Sequence, residues 1–328
     1  MKRSLQRFLT THTGSLPRPE DLIRMMFAKE EGVPVDGTAL AARIRSAVAE
    51  VVGHQARAGI DVINDGEMSK PSYATYVKDR LLSLKRCPNG LKGQCFFQKE
   101  KPETMPADTP TKRIVHENGV RNYVVGGKLE TQLSLANLGC IAVHVWGARA
   151  SEPRKPDWVC FDLDPDSGLF ADAARAGLKV KQALEALGLV SFAKTSGKKG
   201  LHVFVPIKVG PDADQVRWFA EVLGNKLAAA YPDEMTMEGS IARRKGRVYL
   251  DPFRNGFAQT VVSPFCVRRF PRAPVSTPLA WSEVRPTLDP TDFNISNFDR
   301  RLEKKDPWAD FWKRRQDLRH ALAALKRL

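Results

Sequence analysis

The 328-residue sequence lacks several features that would assign it to a common class of protein. It has no apolar stretch near the roughly 20 residues that span a bilayer, and its first residues lack the apolar core of a signal peptide. Its five cysteines are widely spread without a C-x-x-C pair, which argues against a zinc ribbon and a disulfide framework. We therefore expect a cytoplasmic protein whose cysteines are buried or idle thiols.

Acidic residues are the scarcer charged class, with 37 Asp and Glu against 52 Lys and Arg and a net charge of +15. Residues 1–78 hold 11 Lys and Arg against 9 Asp and Glu, so most of the excess lies in the rest of the chain. Such a surface suits a polyanion, and nucleic acid is the commonest polyanion in a cell. Charge alone also fits a solvated face that keeps the protein soluble.

The pattern of predicted secondary structure changes near residue 79. Before it, a short strand in RFLTTHTGSLPRP, a helix pair that includes DGTALAARIRSAVAEVVGHQARAG, and a strand in IDVINDGE predict a β-α-β unit. After it, short strands such as WVCFDLD and LHVFVPI mix with helices without regular alternation, which predicts an α+β domain. The tail DPWADFWKRRQDLRHALAALKRL predicts a terminal helix with an apolar stripe.

Two aspartates stand two residues apart at the end of an apolar run, in VCFDLDPDSG. In a strand, Asp162 and Asp164 would project on the same side, roughly 7 Å apart, and would repel each other unless a cation lies between them. A divalent metal is the usual solution, because hard cations take oxygen ligands. The alternative is structural: Asp162 ends the strand and Asp164 begins a turn.

Three further stretches bear on this choice. GRVYLDPFRN ends another strand in Asp251, which could complete a carboxylate set. KTSGKKGLHVFV joins two strands through a turn whose backbone N–H groups, with Lys198 or Lys199, would form an anion cradle that is not a P-loop. SPFCVRRF adds Arg268 and Arg269. Metal-binding carboxylates beside a phosphate cradle are typical of a nucleotidyl transferase.

Residues from about 79 to 315 resemble the polymerase domain of bacterial DNA ligase D, a member of the archaeo-eukaryotic primase superfamily used in non-homologous end joining. The matching stretches occur in family order. They are LSLKRCPNGLKGQCFFQKEKP, LANLGCIAVHVWGAR, PDWVCFDLDPDSG, LGLVSFAKTSGKKGLHVFVPI, GRVYLDPFRN and RAPVSTPLAWSEV.

This resemblance implies a role for each of several side chains. The metal-binding carboxylates would be Asp162, Asp164 and Asp251. The contacts to the incoming nucleotide would be Ser196, Lys199, His202, Arg268 and His144. The template and DNA contacts would be Phe96 and Phe97, which stack on bases, together with Lys85 and Arg86. The cofactors would be two divalent metals, Mn²⁺ or Mg²⁺.

The sequence also departs from that family. Lys198 stands where a small residue is usual, and Val145 follows His144 where proline is common. The family's first several dozen residues, with basic groups that hold the downstream 5′-phosphate of a gap, have no counterpart. In their place, residues 8 to about 80 resemble the start of the catalytic barrel of cobalamin-independent methionine synthase, although that family's zinc ligands lie beyond the part present.

We therefore expect a barrel fragment over residues 1–78, a primase-like α+β polymerase domain with mixed and antiparallel sheets over 79–300, and its C-terminal helix over 301–328. The expected activity is metal-dependent, DNA-directed addition of nucleotides to 3′ ends in end-joining repair. Expected partners are gapped or overhanging DNA ends, nucleoside triphosphates, a Ku-like end-binding protein and a separate ligase. The alternatives are a catalytically impaired DNA-end-binding module and, less favoured, a methyltransferase.

Overall fold

A computed structural model of the chain describes residues 16–30, 33–60, 63, 76–90, 92–302 and 304–327. The chain divides into two compact units, Met1–Ser72 and Tyr73–Leu328. In the described residues, no helix is both long enough and apolar enough to cross a membrane.

The first unit contains the predicted pair of helices, α1 (Glu20–Glu30) and α2 (Gly37–Arg57). The carboxylate of Asp36 accepts the backbone N–H groups that open α2, which explains where that helix begins. The facing sides of the two helices bury a small apolar cluster made of Leu22, Met26, Leu40, Ala47 and Val51. The two strands predicted to flank this pair fall mostly outside the described residues.

The second unit mixes strands and helices, as the sequence predicts. Its strands are β1 (Arg80–Arg86), β2 (Phe96–Gln98), β3 (Thr111–His116), β4 (Gly119–Val124), β5 (Cys140–Arg149), β6 (Trp158–Pro165), β7 (Phe192–Thr195), β8 (Leu201–Pro206), β9 (Met235–Thr236), β10 (Val248–Asp251), β11 (Thr260–Val262) and β12 (Pro278–Leu279). Its helices are α3 (Leu129–Asn137), α4 (Phe170–Ala186), α5 (Ala213–Ala230), α6 (Ile241–Arg244), α7 (Asp299–Leu302) and α8 (Arg319–Arg327).

The strands form three sheets. A six-stranded sheet has the order β12-β7-β8-β6-β10-β9, and all its pairs are antiparallel except β9 with β10. A four-stranded antiparallel sheet has the order β11-β5-β1-β2, and β3 pairs with β4 in a hairpin. The combination of mixed and antiparallel sheets with helices confirms the α+β fold class.

The six-stranded sheet separates two hydrophobic cores. Val159, Phe161 and Leu163 of β6 pack with α4 and α5 in one core. Trp158 and Cys160 face the other core, which includes residues of the four-stranded sheet. This alternation follows from the two-residue period of a strand, and it fixes which face each later residue of β6 occupies.

The C-terminal tail is not the single helix that its apolar stripe predicts. A 3₁₀ turn at Phe311–Arg314 and helix α8 are separated by Gln316, whose backbone N–H donates to the carbonyl of Pro206 at 3.0 Å. Trp308 is buried, and its indole N–H donates to the carbonyl of Ala193 at 2.9 Å. Docking of this segment on β7 and on the end of β8 therefore outweighs continuation of the helix.

Candidate active site

Three adjacent strands bring polar side chains to the same end of one sheet face. Because alternate residues of β6 enter the helix-side core, Asp162 and Asp164 project from the opposite face. The strand register pairs Asp162 with His202 of β8 and with Asp251 of β10. Asp164 lies within β6, so the structure favours the shared-face interpretation over the turn interpretation.

Two arginines hold the three carboxylates. Arg254 Nε lies 3.1 Å from Asp162 Oδ2 and 3.1 Å from Asp251 Oδ2, so one guanidinium bridges both strands. Arg244 Nη1 lies 3.1 Å from Asp164 Oδ2. The repulsion that two neighbouring aspartates create is therefore offset in this structure by arginine side chains.

The carboxylates differ in their tendency to ionise. Burial by itself would raise the pKa of Asp162, but His202 and Arg254 hold it well below its usual value. Burial raises the pKa of Asp251, and the charge of Asp162 adds to that rise while Arg254 opposes it. Asp162 is therefore firmly ionised, and Asp251 is the more easily protonated of the facing pair.

The donor set fits a hard divalent cation by its chemistry. Asp162, Asp164 and Asp251 supply carboxylate oxygens, the ligands that Mg²⁺ and Mn²⁺ prefer, from one end of one sheet face. In the part of the chain that the structure describes, no three His, Cys, Asp or Glu side chains are arranged to hold a metal ion. Arg254 and Arg244 lie against one oxygen of each of these three carboxylates.

The turn between β7 and β8 forms the basic side of the site. Ser196 Oγ accepts the backbone N–H groups of Lys198 at 3.3 Å and Gly200 at 3.1 Å, which closes the turn. Arg268 Nη1 donates to the carbonyl oxygen of Ser196 at 2.6 Å. Ser196 and Arg268, distant in sequence, are thus adjacent, as the expected triphosphate site requires.

These groups line one cleft of about 640 Å³. The cleft is lined by the three aspartates together with Ser83, Phe97, Lys99, His144, Ser196, Lys198, Lys199, Gly200, His202, Arg244, Tyr249, Arg254, Thr260, Val261, Val262 and Arg268. Lys199 Nζ lies 3.7 Å from Asp164 Oδ1 and donates to the carbonyl of Pro165 at 2.9 Å. The carboxylates and the basic turn therefore face a common space.

Both histidines of the expected site line this cleft. Burial, reinforced by Lys194, lowers the pKa of His202 to about 4, so its ring is neutral near pH 7. Its Nε2 lies 3.2 Å from Asp162 Oδ1, a distance at which an N–H donates to the carboxylate. Burial and Arg268 lower the pKa of His144 to about 3. Neither histidine contributes positive charge near neutral pH.

The expected template contacts lie on the β1–β2 pair. Phe96 and Phe97 are 43% and 56% exposed, so they are not core residues. Lys85 Nζ lies 4.6 Å from the centre of the Phe97 ring, and the Arg86 guanidinium lies 5.6 Å from that of Phe96. Exposed aromatic faces beside cations are suited to single-stranded nucleic acid.

A disulfide joins Cys87 to Cys95 in this pair, so the expectation of five idle thiols is wrong for these two. The register of β1 and β2 places Arg86 opposite Phe96, and the flanking cysteines are the next pair along. Their spacing in the sequence did not predict this disulfide, because only the pairing of β1 with β2 brings the two cysteines together. Cys140, Cys160 and Cys266 are free.

The sequence-based site omits Arg254, Arg244 and Lys194. The first two are ion-pair partners of the aspartates, and Lys194 is a fully buried lysine paired in register with His202. Arg254 could have been suspected, because it follows Asp251 by three residues. Arg244 and Lys194 carry no such signal, since their positions depend on which strands pair.

Similarity to known proteins identifies the family of this chain. The sequence model of the LigD primase-polymerase domain matches residues 67–308. This chain belongs to that family. The family is one of nucleotidyltransferases of the primase-polymerase type. The resemblance to the ligase D polymerase domain is therefore confirmed, whereas the resemblance of residues 8–80 to methionine synthase receives no support.

The curated relatives are LigD proteins of several bacteria. The bifunctional non-homologous end joining protein LigD of Bacillus subtilis is 30% identical over 247 residues, which cover 74% of this chain and 39% of that protein. The multifunctional LigD of Pseudomonas aeruginosa is 29% identical over 253 residues, covering 75% of this chain and 30% of that protein. The chain thus corresponds to roughly a third of the length of these LigD proteins.

A solved structure supports the fold independently. The polymerase domain from Mycobacterium tuberculosis Ligase D, in complex with DNA, superposes with a TM-score of 0.67 at 23% sequence identity. The superposition covers 82% of this chain and 90% of that domain. At this level of identity, the match establishes the shared architecture of the LigD polymerase domain.

Proposed function

We propose that this LigD-type chain adds nucleotides to the 3′ ends of DNA, directed by a template strand, during non-homologous end joining. The observation that carries the proposal is the single cleft in which three strand-end carboxylates face the Ser196 turn and Arg268. A nucleotidyl transfer site needs this combination, because the reaction develops charge on the attacking oxygen and on the departing pyrophosphate.

In this proposal, Asp162, Asp164 and Asp251 would hold two divalent cations, Mn²⁺ or Mg²⁺. When bound, such cations activate the primer 3′-hydroxyl and neutralise the triphosphate. Asp162 suits this role because His202 and Arg254 keep its pKa low, so it is ionised at neutral pH. His202 stays neutral and donates an N–H to Asp162, which orients one carboxylate oxygen.

The nucleotide would bind on the basic side of the cleft. Lys199 and Arg268 would neutralise the phosphates, with the Ser196 hydroxyl and the turn N–H groups that do not donate to Ser196 Oγ as hydrogen-bond donors. His144 would lie beside the sugar or the phosphates. Its ring contacts Phe97 edge to face, with centroids 5.2 Å apart, which connects the nucleotide site to the template site.

The template would stack on Phe96 and Phe97, with Lys85 and Arg86 near its backbone. We further propose the boundaries 79–300 for the polymerase domain and 301–328 for its C-terminal segment. Partners would be gapped or overhanging DNA ends, nucleoside triphosphates, a Ku-like end-binding protein and a separate ligase, in the cytoplasm. A preference for ribonucleotides and for manganese is part of the same proposal.

Primer extension tests this function. The full chain is incubated with gapped, 5′-phosphorylated DNA, Mn²⁺ or Mg²⁺, and ribo- or deoxynucleotides, beside the variants Asp162→Ala and Asp292→Ala. Asp292 is a matched control, because it is exposed and pairs with Arg272. We expect extension by the parent and the control and none by Asp162→Ala, with DNA binding retained by all three.

Two results would contradict the proposal. Extension by Asp162→Ala would refute the assignment of the carboxylates. Absence of extension by a folded parent that binds DNA normally would favour a DNA-end-binding module without catalytic activity.

A further inference from the structure

The guanidinium of Arg254 occupies the space between two of the expected metal ligands. We propose that Arg254 competes with the divalent cation for Asp162 and Asp251, so that cation binding requires this side chain to leave. The inference rests on the proposed function, because it takes these aspartates as metal ligands. It assigns a positioning role to a residue that the sequence-based site omits.

The contacts of Arg254 resemble those of a bridging cation. Its Nε lies 3.1 Å from one oxygen of Asp162 and 3.1 Å from one oxygen of Asp251, which face each other across β6 and β10. A metal ion that bridges these two oxygens would take the position between them that Arg254 Nε fills, so the guanidinium and the ion cannot both bridge the pair. Binding of one therefore excludes the other from this pair.

The surroundings allow the side chain to leave without disturbing the backbone. Arg254 lies in the 3₁₀ turn Phe253–Asn255, and its side chain is 38% exposed toward the cleft. The next residue is anchored: Asn255 Oδ1 accepts the N–H of Cys160 at 2.7 Å, and Asn255 Nδ2 donates to the Cys160 carbonyl at 2.8 Å. Rotation about side-chain bonds is enough to free the carboxylates.

Each carboxylate keeps a second donor when Arg254 departs. Asp251 Oδ1 accepts the backbone N–H of Phe253 at 2.9 Å. Asp162 Oδ1 lies 3.2 Å from His202 Nε2. Both contacts use the oxygen that Arg254 does not bind, so the two remaining oxygens stay directed toward the shared space. Arg254 thus keeps the pair in place and balances its charge until a cation arrives.

Direct metal binding tests this inference. Mn²⁺ binding to the full chain, freed of metal with a chelator and without nucleotide, is measured by calorimetry and by the electron paramagnetic resonance signal of free Mn²⁺. The proteins are the parent, Arg254→Gln, Arg254→Lys and Arg272→Gln. Arg272 is a matched control, because it also lies near two carboxylates, Asp289 and Asp292, but on the surface.

We expect Arg254→Gln to bind the first Mn²⁺ about tenfold more tightly than the parent, which corresponds to about 1.4 kcal/mol. Arg254→Lys should fall between them, because a lysine is a point charge that cannot bridge both carboxylates in the same way. Arg272→Gln should match the parent. A residue that only supported the fold would give the opposite sign, since its loss would loosen the site.

The possible failures are distinguishable. Equal or weaker Mn²⁺ binding by folded Arg254→Gln, while the parent binds Mn²⁺, would overturn this inference and leave the proposed function standing. Absence of Mn²⁺ binding in every protein, including the parent, would overturn both this inference and the metal assignment in the proposed function.

Discussion

Lys194 illustrates at the scale of one residue how the fold places charge beside the cleft. It is fully buried, and its ammonium donates to Ser276 Oγ at 2.5 Å and more weakly to the Thr195 carbonyl. Ser276 in turn donates to Thr195 at 2.8 Å, so the network ties β7 to the segment that follows Arg268. Burial lowers the pKa of Lys194 to about 7.

This lowered pKa predicts a pH dependence of stability. The ordinary pKa of lysine is 10.5, so between pH 7 and 10.5 the unfolded chain binds more protons than the folded one. The contribution of Lys194 to the free energy of unfolding should therefore rise with pH in that window, by at most about 1.4 kcal/mol per pH unit. The Lys194→Met variant should lack this rise.

Denaturant unfolding of the parent and Lys194→Met at pH 7 and pH 9 measures the effect. The stability of the parent relative to the variant should increase between the two pH values. A surface variant, Lys181→Met, which removes an ammonium paired with Glu185, should show no such trend. A difference in unfolding free energy between the parent and Lys194→Met that stays constant from pH 7 to pH 9 would contradict the lowered pKa of Lys194.

Individual site residues differ in how far the sequence could predict them. Asp162 and Asp164 share a face because strands have a two-residue period, and that argument needs only local sequence. Arg254 and Arg244 balance their charge, but the pairing of β6 with β10 is what brings them close. Local patterns do not encode which strands pair, so the contacts of these arginines with Asp162 and Asp164 and the Cys87–Cys95 disulfide could not be derived from them.

At the scale of elements, the turn between β7 and β8 depends on a glycine. Gly197 has a φ of +76°, and a Cβ there would lie 2.5 Å from Arg268 Cγ and 3.1 Å from the backbone nitrogen of Ser276. A substitution must therefore adopt a strained backbone and also displace Arg268. Gly188, with a φ of +73° and nothing within 4 Å of such a Cβ, would incur only the backbone strain.

These two glycines give a matched prediction. Gly188→Ala should lose about 1–2 kcal/mol of stability from backbone strain alone. Gly197→Ala should lose more and should also weaken nucleoside triphosphate binding, which Gly188→Ala should leave unchanged. Thermal unfolding and calorimetric titration with nucleotide measure the two effects. Unchanged nucleotide affinity in Gly197→Ala would show that the position of Arg268 does not depend on this glycine.

Elements with a strong local pattern were predictable, and those formed by docking were not. The strands β6 and β8 lie within one residue of the predicted segments WVCFDLD and LHVFVPI, because each is a short, mostly apolar run. The predicted C-terminal helix is interrupted at Gln316, whose backbone N–H donates to the carbonyl of Pro206 at the end of β8. Tertiary contacts override propensity there.

At the scale of the whole molecule, the net charge of +15 is consistent with the DNA substrate of the proposed function. A basic surface favours association with nucleic acid by releasing counterions, so DNA affinity should fall steeply as salt increases. This electrostatic attraction does not determine which reaction the protein catalyses. In the proposed function, the chemistry depends on the carboxylates of β6 and β10 and on the basic turn across the cleft.

The most direct test of that claim is template-directed addition of a single nucleotide by the full chain, measured across a range of Mn²⁺ concentrations. Asp251→Asn and Asp289→Asn are measured beside the parent, since Asp289 is exposed and outside the cleft. We predict Mn²⁺-dependent addition, chosen by the template base, in the parent and Asp289→Asn, and background addition in Asp251→Asn. Addition by Asp251→Asn at the rate of the parent would contradict the account.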